Sequence, residues 1–388
     1  MIKINIHDRI TMLQEKLCQS QLDGALIINP VDLYYYSGSR QNALLWVPAD
    51  AAPILLVRKS LTRAKQDSSL DDIRPFPRGK DLAAILGQAA RRVGVLEDVM
   101  PVQQLKFYSR LLPEVDFCDI SGINRELRSV KSVAELEVMK QAGDKLCSVF
   151  EQIPDFLRDG VREIDLSAEI EVRLRRLGGE GPVRMRAFNM ELFGGLATCG
   201  ASACAPGFFD GAVTGEGTSN AFPNGASEQL IMRDLPIMID YTGIFDGYIV
   251  DMTRMFVIGQ MPDEAQKAFD VALAIQAYVE ENLQPGQICS ALFEGACQLA
   301  EEHGLLHHFM GVAGEQAKFV GHGVGLELDE FPVLAKGFDV PLVERQTIAV
   351  EPKFILPGLG VVGIENTFAV GVDGGVRITR LKDDLVCV

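Results

Sequence analysis

The stretch IDYTGIFDGYIVDMTR, residues 239–254, constrains the fold of this chain more than any other segment. Its central dipeptide, Asp246–Gly247, is typical of the two-residue turn of a β-hairpin. If this turn closes the hairpin, paired residues have numbers that sum to 493, and Asp251 lies opposite Thr242. Asp240 is then a diagonal neighbour of Asp251 on the same face, with Cβ atoms roughly 7 Å apart. The segment therefore predicts two carboxylates that point into one space.

A second pair of acidic residues flanks another turn. Glu351 lies in AVEP, Glu365 lies in GIENT, and Gly358 in LPGLG is midway between them. A loop with an odd number of residues, centred on Gly358, would set the two glutamates across from each other on one face. This turn again brings two carboxylates together.

These four carboxylates lie in apolar strands such as LPIMID and TIAVEP. Burying an unpaired carboxylate costs several kcal/mol, so a cation must converge on them. We see no run of Lys or Arg spaced to supply it, and a metal is therefore expected. Four carboxylates balance the charge of two divalent ions, and a hydroxide that bridges the ions would add one negative charge.

His322, in GHGVGLELDE, is the candidate nitrogen ligand of this group. A histidine taken alone is more often a core residue than a ligand. Together with four acids it forms an oxygen-rich donor set that suits Mn, Co, Zn or Fe. The eight cysteines lack CxxC spacing, and we interpret them as reduced thiols, most of them buried.

The rest of the chain predicts two domains. In the first third, DGALIINP (23–30) and APILLVR (52–58) are typical of strands, and AAILGQAARRVG (83–94) is typical of a helix, which indicates a small α/β domain. Ser132 and Glu135 form a capping-box sequence that starts a long amphipathic helix. We place the domain boundary just before it.

The second domain is predicted to contain both helices and strands, with the last ninety residues rich in strands. A glycine-rich loop, residues 200–227, is expected to line a pocket because it directly precedes the acidic residues. The predicted helices cover 132–157, 163–177, 263–282 and 288–303, and the predicted strands cover 235–241 and 248–258.

The formal charge of −16 and the pI near 4.8 argue against nucleic acid and anionic membrane surfaces as partners. The start MIKINIHDRITMLQEK has no apolar export segment, and no window approaches the length of a membrane span. We therefore expect a cytoplasmic protein.

The acidic and histidine motifs, in this order along the chain, resemble those of the pita-bread metallopeptidases, which include prolidase, aminopeptidase P and creatinase. The resemblance is specific from about residue 128 to about 380, and NPVDLYYYSG resembles the amino-terminal domain of the same branch. It implies an α/β (α+β) chain, with a small creatinase-like domain (1–127) before a pita-bread catalytic domain (128–388). A homodimer is also expected.

The resemblance also implies a role for each acid. Asp240 would chelate the first ion, and Asp251 and Glu365 would bridge both ions. His322 and Glu351 would hold the second ion, and Glu351 would also relay the proton of the attacking water.

The residues expected to contact substrate depart from the family pattern. Three further imidazoles of prolidase-like members are absent: Lys318 and Asp329 stand at two of the places, and loop 200–227 contains no histidine. Gly363 replaces an arginine, and Asn366 replaces an acid. Lys318 could donate to a substrate oxyanion or carboxylate, and Asp329 could receive a substrate amine. Arg184 and Arg186 in PVRMRAF are predicted to lie on one strand face. They would either hold an anionic end of the substrate or lie on a solvated surface.

We therefore predict a dinuclear metal-dependent hydrolase, a peptidase of Xaa-Pro dipeptidase or aminopeptidase type. It would act on a small peptide or amide through a metal-bridging hydroxide. The missing imidazoles keep two alternatives open: a lyase or an amidine or amide hydrolase on the same scaffold, and a non-catalytic binding protein.

Overall fold

The computed structural model describes residues 4–86, 90–188 and 190–388. These residues divide into two compact units. One comprises residues 4–128 with 186–188, and the other comprises residues 129–185 with 190–388. Each unit has its own sheet and mixes helices with strands, as the predicted α/β (α+β) class requires.

The first unit is built around a six-stranded mixed sheet. Its elements are α1 (Ile6–Gln19), β1 (Gly24–Ile27), α2 (Pro30–Ser37), β2 (Ala43–Pro48), β3 (Ile54–Val57), α3 (Leu61–Asp67), β4 (Ile73–Pro75), α4 (Gly79–Leu86), β5 (Arg92–Val95), α5 (Val102–Leu111), β6 (Asp116–Asp119) and α6 (Ser121–Ser129). The strand order is β4-β3-β2-β1-β5-β6, with β1 antiparallel to β2 and parallel to β5. Short apolar strands such as GALI and ILLV are nearly fully buried, which explains their continuous hydrophobic sequence.

The second unit contains a nine-stranded sheet and a separate two-stranded hairpin. Its elements are α7 (Val133–Phe150), α8 (Ile153–Phe156), α9 (Glu163–Arg176), β7 (Gly195–Cys199), β8 (Ile237–Phe245), β9 (Tyr248–Val257), α10 (Asp263–Asn282), α11 (Cys289–Glu302), β10 (Phe319–Gly323), β11 (Glu330–Ala335), β12 (Thr347–Val350), β13 (Lys353–Leu356), β14 (Gly360–Gly363), β15 (Glu365–Gly371), β16 (Gly374–Arg377) and β17 (Val386–Cys387), with 3-10 turns at Gly200–Cys204 and Leu306–His308. The order β11-β10-β12-β15-β9-β8-β7 brings strands from distant parts of the chain side by side, with β16 beside β15 and β17 beside β9. The large core of this unit joins the apolar faces of α10 and α11 to the strands.

Most of the elements predicted from the sequence are present. The side chain of Ser132 accepts the Glu135 backbone N–H, and the Glu135 side chain accepts the Ser132 backbone N–H, so the capping box is confirmed at the start of α7. The predicted helix 263–282 coincides with α10. The predicted helix 83–94 is wrong in its last part: Arg92–Val95 form a strand between β1 and β6, and residues 87–89 lie outside the described part of the chain.

All eight cysteines are free thiols, but only Cys147, Cys199 and Cys289 are buried, so the expectation that most of them are buried was wrong. Within the described residues, none of the helices combines the length and the apolar character that crossing a bilayer requires.

Candidate active site

The first two carboxylates are positioned by the hairpin of β8 and β9. Thr242 pairs with Asp251, and Asp240 pairs with Thr253, so the predicted register is confirmed. The turn residues Asp246 and Gly247 have φ of 49° and 85°, the left-handed conformation that a tight hairpin turn of this type demands. Local turn chemistry therefore sets the register that puts Asp240 and Asp251 on one face.

The two glutamates come from a second turn, whose centre is again as predicted. Residues of β13 and β14 pair symmetrically about Gly358, which has a φ of +86°. Glu351 and Glu365 lie just beyond the paired residues. Glu365 begins β15 and pairs with Thr253, while the Glu351 backbone N–H donates to Val320 O at 2.9 Å. Glu365 therefore reaches the site from β15, and Glu351 reaches it from the segment that follows β12.

Lys353, a residue not predicted at the site, lies among these carboxylates. Its Nζ donates to Asp240 Oδ2 at 2.8 Å, to Glu351 Oε2 at 2.7 Å and to Glu365 Oε2 at 3.1 Å. Only 3 % of its side chain is exposed. The expectation that no basic residue reaches the acids was wrong. The sequence did carry a signal, because side chains two residues apart in an extended segment, such as Glu351 and Lys353, point to the same face.

His322 in β10 approaches Glu351 and Glu365 through their other oxygens. Its Nε2 lies 3.6 Å from Glu351 Oε1 and 4.0 Å from Glu365 Oε1. Its Nδ1 lies 3.2 Å from Gly323 O, and in the tautomer in which Nδ1–H donates to this carbonyl, Nε2 is the nitrogen available to a metal ion.

The donor atoms near His322 fit a divalent ion. Asp251, His322 and Glu365 each offer one ligand atom, and these atoms lie within 4.8 Å of one another. Two carboxylate oxygens and one imidazole nitrogen form a donor set typical of Zn, Mn, Co or Fe.

Burial shapes the charges of this cluster. It raises the pKa of Asp251 and of Glu365, and the neighbouring carboxylates raise both further. Burial also opposes the charge of Lys353, but attraction to Asp240, Glu351 and Glu365 outweighs it, so the pKa of Lys353 lies well above its usual value.

The residues of this cluster line a cavity of about 300 Å³. The walls are largely apolar and include Phe193, Phe209 and Phe319. Asp329 also lines the cavity, as the motif frame predicts. Part of the glycine-rich loop 200–227 contributes to the wall, which confirms the expectation that this loop lines a pocket.

A buried carboxylate holds the two ends of this loop. Glu163, at the start of α9, accepts the backbone N–H of Cys199 at 2.8 Å. Its other oxygen accepts the Ser227 N–H at 3.0 Å and the Ser227 hydroxyl at 2.6 Å. A carboxylate has two acceptor oxygens, so Glu163 can hold both ends of the loop at once.

Two of the residues predicted to contact substrate lie elsewhere. Lys318 is exposed and is not among the residues that line the cavity. Arg184 is also outside the cavity lining, and its guanidinium donates to the carbonyls of Leu326 and Gly247. Arg184 therefore ties backbone segments together.

Arg186 requires a correction. It is buried in the first unit, where it donates to both oxygens of Asp98, at 2.6 and 2.9 Å, and to Asp32 at 3.2 Å. Residues 182–188 form no strand, so the predicted strand face shared by Arg184 and Arg186 does not exist. With these carboxylates engaging its guanidinium, Arg186 is a structural residue of the first unit.

Comparisons with known proteins agree with this architecture. The family model described as Metallopeptidase family M24 matches residues 137–371, and the one described as Creatinase/Prolidase N-terminal domain matches residues 9–130. A creatinase-type amino-terminal domain therefore precedes a catalytic domain of the M24 type, and the predicted fold class is confirmed. The expectation of a metal-dependent hydrolase is confirmed at the level of the family.

Relatives cover nearly the whole chain. The Xaa-Pro dipeptidase of Pyrococcus furiosus is 24 % identical over 382 residues, which cover 98 % of this chain and 99 % of the relative. The probable dipeptidase PepE of Mycobacterium tuberculosis is 25 % identical and covers 98 % and 96 %. Among solved structures, the Xaa-Pro dipeptidase from Bacillus anthracis is 21 % identical with a TM-score of 0.85, covering 99 % of this chain and 100 % of that one, and the prolidase from Pyrococcus horikoshii OT3 is 21 % identical with a TM-score of 0.83, covering 98 % and 100 %.

Proposed function

Because the chain belongs to metallopeptidase family M24, we propose that it hydrolyses small peptides as an Xaa-Pro dipeptidase or aminopeptidase. One observation carries the proposal: acids from two hairpins and His322 converge in an apolar cavity. The relatives named Xaa-Pro dipeptidase support the substrate class.

We propose Asp251, His322, Glu351 and Glu365 as residues that hold a divalent ion, Mn, Co, Zn or Fe. The resemblance adds Asp240, whose carboxylate reaches the same cluster. When bound, such an ion supplies Lewis-acid chemistry, polarising the scissile carbonyl and activating a water molecule. The number of ions, two by the sequence-based prediction, depends on the role of Lys353.

Glu351 is the proposed catalytic base. Lys353 and His322 approach different oxygens of its carboxylate, with Lys353 Nζ 2.7 Å from Oε2 and His322 Nε2 3.6 Å from Oε1. The bond from Lys353 limits the rotation of this carboxylate, which lines the cavity. It can accept the proton of the attacking water and pass it to the leaving nitrogen.

The cavity walls supply the substrate contacts. The rings of Phe193, Phe209 and Phe319 offer apolar surface that suits a prolyl ring. We propose that Asp329, which also lines the cavity, receives the cationic amino terminus of a short peptide. Lys318, Arg184 and Arg186 take no part in this proposal.

A peptide library tests this function. The protein loaded in turn with Mn, Co, Zn and Fe should cleave members of a set of Xaa-Pro dipeptides, other dipeptides and amides. Glu351→Gln should lower kcat by about a hundredfold or more, because the proton acceptor is lost. Exposed Glu344 provides the matched control, since Glu344→Gln should leave the rate unchanged. Cleavage of no member under any metal would refute a peptidase.

A different reaction on the same scaffold is the second candidate. It is favoured by Lys353, whose ammonium stands among the acids, together with the three absent imidazoles. Such an enzyme would convert a metabolite rather than a peptide. Mass spectrometry of a metabolite mixture before and after incubation distinguishes the two candidates.

Further features stay proposals. We propose domains covering 1–127 and 128–388, a homodimer and a cytoplasmic location. Light scattering coupled to size exclusion should report twice the chain mass of 42.4 kDa.

A further inference from the structure

Lys353 Nζ lies at a point where three carboxylate oxygens meet. Its distances to Asp240 Oδ2, Glu351 Oε2 and Glu365 Oε2 are between 2.7 and 3.1 Å. An ion bound by Asp240 and Glu365 would need oxygens at about 2.0–2.2 Å, within the space that this ammonium fills. An ammonium and a divalent ion cannot share that point, because like charges repel strongly at such a separation.

The two glutamates present different oxygens to different sides. Their Oε2 atoms face Lys353, whereas their Oε1 atoms face His322 Nε2 at 3.6 and 4.0 Å. The second side also includes Asp251, whose ligand atom lies within 4.8 Å of those of His322 and Glu365. The cluster thus has two cation positions, and a side chain of this protein occupies one of them.

The small hairpin of β13 and β14 determines where the aliphatic part of the Lys353 side chain lies. Lys353 pairs with Gly363 across β13 and β14. A Cβ at position 363 would lie 2.5 Å from Lys353 Cγ, so any larger residue would collide with the stem. Position 363 is also where the resemblance leads one to expect an arginine. The glycine therefore leaves room for the buried stem of Lys353.

We propose that the Lys353 ammonium replaces one of the two metal ions, so that each chain binds a single divalent ion through Asp251, His322, Glu365 and Glu351. This inference rests on the proposed metal-dependent function. Asp240 then pairs with the lysine instead of a metal. The single ion lies on the His322 side of the two glutamates.

Metal stoichiometry tests the proposal. Wild-type protein reloaded with excess Mn and desalted should contain one ion per chain by elemental mass spectrometry, with the electron paramagnetic resonance spectrum of an isolated ion. Lys353→Met keeps the stem and removes the charge. This variant should bind two ions per chain and show the spectrum of an exchange-coupled pair.

Lys131→Met is the matched control. Lys131 is equally buried, with 1 % of its side chain exposed, and pairs with Glu330 at 2.8 Å outside the acid cluster. Its replacement should leave the count at one ion. Two ions in the wild type, or one ion in both wild type and Lys353→Met, would overturn the proposal.

Asp240→Asn keeps the test decisive if Lys353→Met fails to fold. If Asp240 pairs only with the lysine, this variant should retain one ion, whereas Asp251→Asn should lose it. Loss of the ion from both variants would overturn the inference. If the wild type binds two ions and cleaves peptides, the single-ion proposal fails and the proposed function stands. If the wild type binds no ion with any of the metals, both proposals fail.

Discussion

At the scale of single residues, the chemistry depends on which cations neutralise the buried acids. Asp240, Asp251, Glu351 and Glu365 all reach one cluster, and separating such charges from water costs several kcal/mol per ion when no partner is present. Lys353 provides one partner from within the chain. In the proposed site, the imidazole of His322, whose Nε2 lies 3.6 Å from Glu351 Oε1, would provide a ligand for a second, exchangeable cation.

Removal of His322 should therefore release the metal. In His322→Ala, the affinity for Mn should fall by about a hundredfold or more, because losing a direct ligand costs at least as much as losing a residue that only orients one. Metal content after desalting measures the change. His303→Ala is the control, since His303 is exposed at the end of α11 and bonds only Leu299 O among the described residues. An unchanged metal content in His322→Ala would exclude it as a ligand.

Asp98 predicts a pH-dependent contribution to stability. Its burial opposes ionisation, but the bonds from Arg186 and Arg125 outweigh that effect, so the pKa of Asp98 lies below its usual value. A depressed pKa stabilises the fold above the unfolded value, near 3.8, and this contribution is lost as the pH falls through the folded value.

Asp98→Asn should lower the free energy of unfolding by about 2 kcal/mol near pH 7. The difference from wild type should shrink as the pH falls below about 4. Denaturant titrations at several pH values measure it, with exposed Asp71→Asn as the control. A difference that is constant over this pH range would contradict the role assigned to the ion pair.

At the scale of elements, two hairpins and one anchored loop assemble the site. The β8–β9 hairpin positions two acids, and the β13–β14 hairpin carries Lys353 into the cluster. Loop 200–227 supplies part of the cavity wall, and Glu163 holds both of its ends.

Glu163→Gln should loosen this loop without touching the acids. An amide offers only one acceptor oxygen, so it cannot hold both loop ends as the carboxylate does. We expect KM for a cleaved peptide to rise by about tenfold with a smaller change in kcat, because the wall and not the base is affected. Exposed Glu169→Gln on the same helix is the control. A fall in kcat alone would argue against this role.

Gly363→Ala should disturb the small hairpin. The new Cβ would lie 2.5 Å from Lys353 Cγ and 2.8 Å from Pro352 O, so the stem or the backbone must shift. We expect the free energy of unfolding to fall by about 1–3 kcal/mol, the usual cost of overpacking. Gly122→Ala is the matched control, because nothing lies within 4 Å of a Cβ there. Equal stability of the two variants would show that the hairpin accommodates the extra methyl group at position 363 without cost.

At the scale of the whole molecule, metal binding should be coupled to the stability of the second unit. The proposed ligands come from β9, β10, β15 and the segment before β13, so the ion would join strands that are far apart in sequence. A ligand that binds only the folded state stabilises it by about 2.7 kcal/mol at a hundred times its Kd.

Thermal unfolding should reveal this coupling. Addition of Mn to chelator-treated protein should raise Tm by several degrees, and the rise should continue with metal concentration. His322→Ala should show little change, since its site is incomplete. An equal rise in the variant would place the stabilising metal elsewhere.

The sequence by itself determined the features that depend on neighbouring residues. The Asp246–Gly247 turn determines the register of Asp240 and Asp251, and the capping box starts α7 at the predicted residue. In both cases a short segment has one favourable backbone conformation, so its pattern can be interpreted without the rest of the chain.

Only the tertiary structure decided which charged groups meet. The guanidinium of Arg186 bonds Asp98 in the first unit, and Lys353 enters the acid cluster because the β13–β14 hairpin lies beside the large sheet. These partners are separated by many residues, and their approach depends on how strands pack rather than on local conformation. A buried charged group pairs with the opposite charge that the packing of the fold brings close to it. The spacing of residues along the chain therefore does not predict which pair forms.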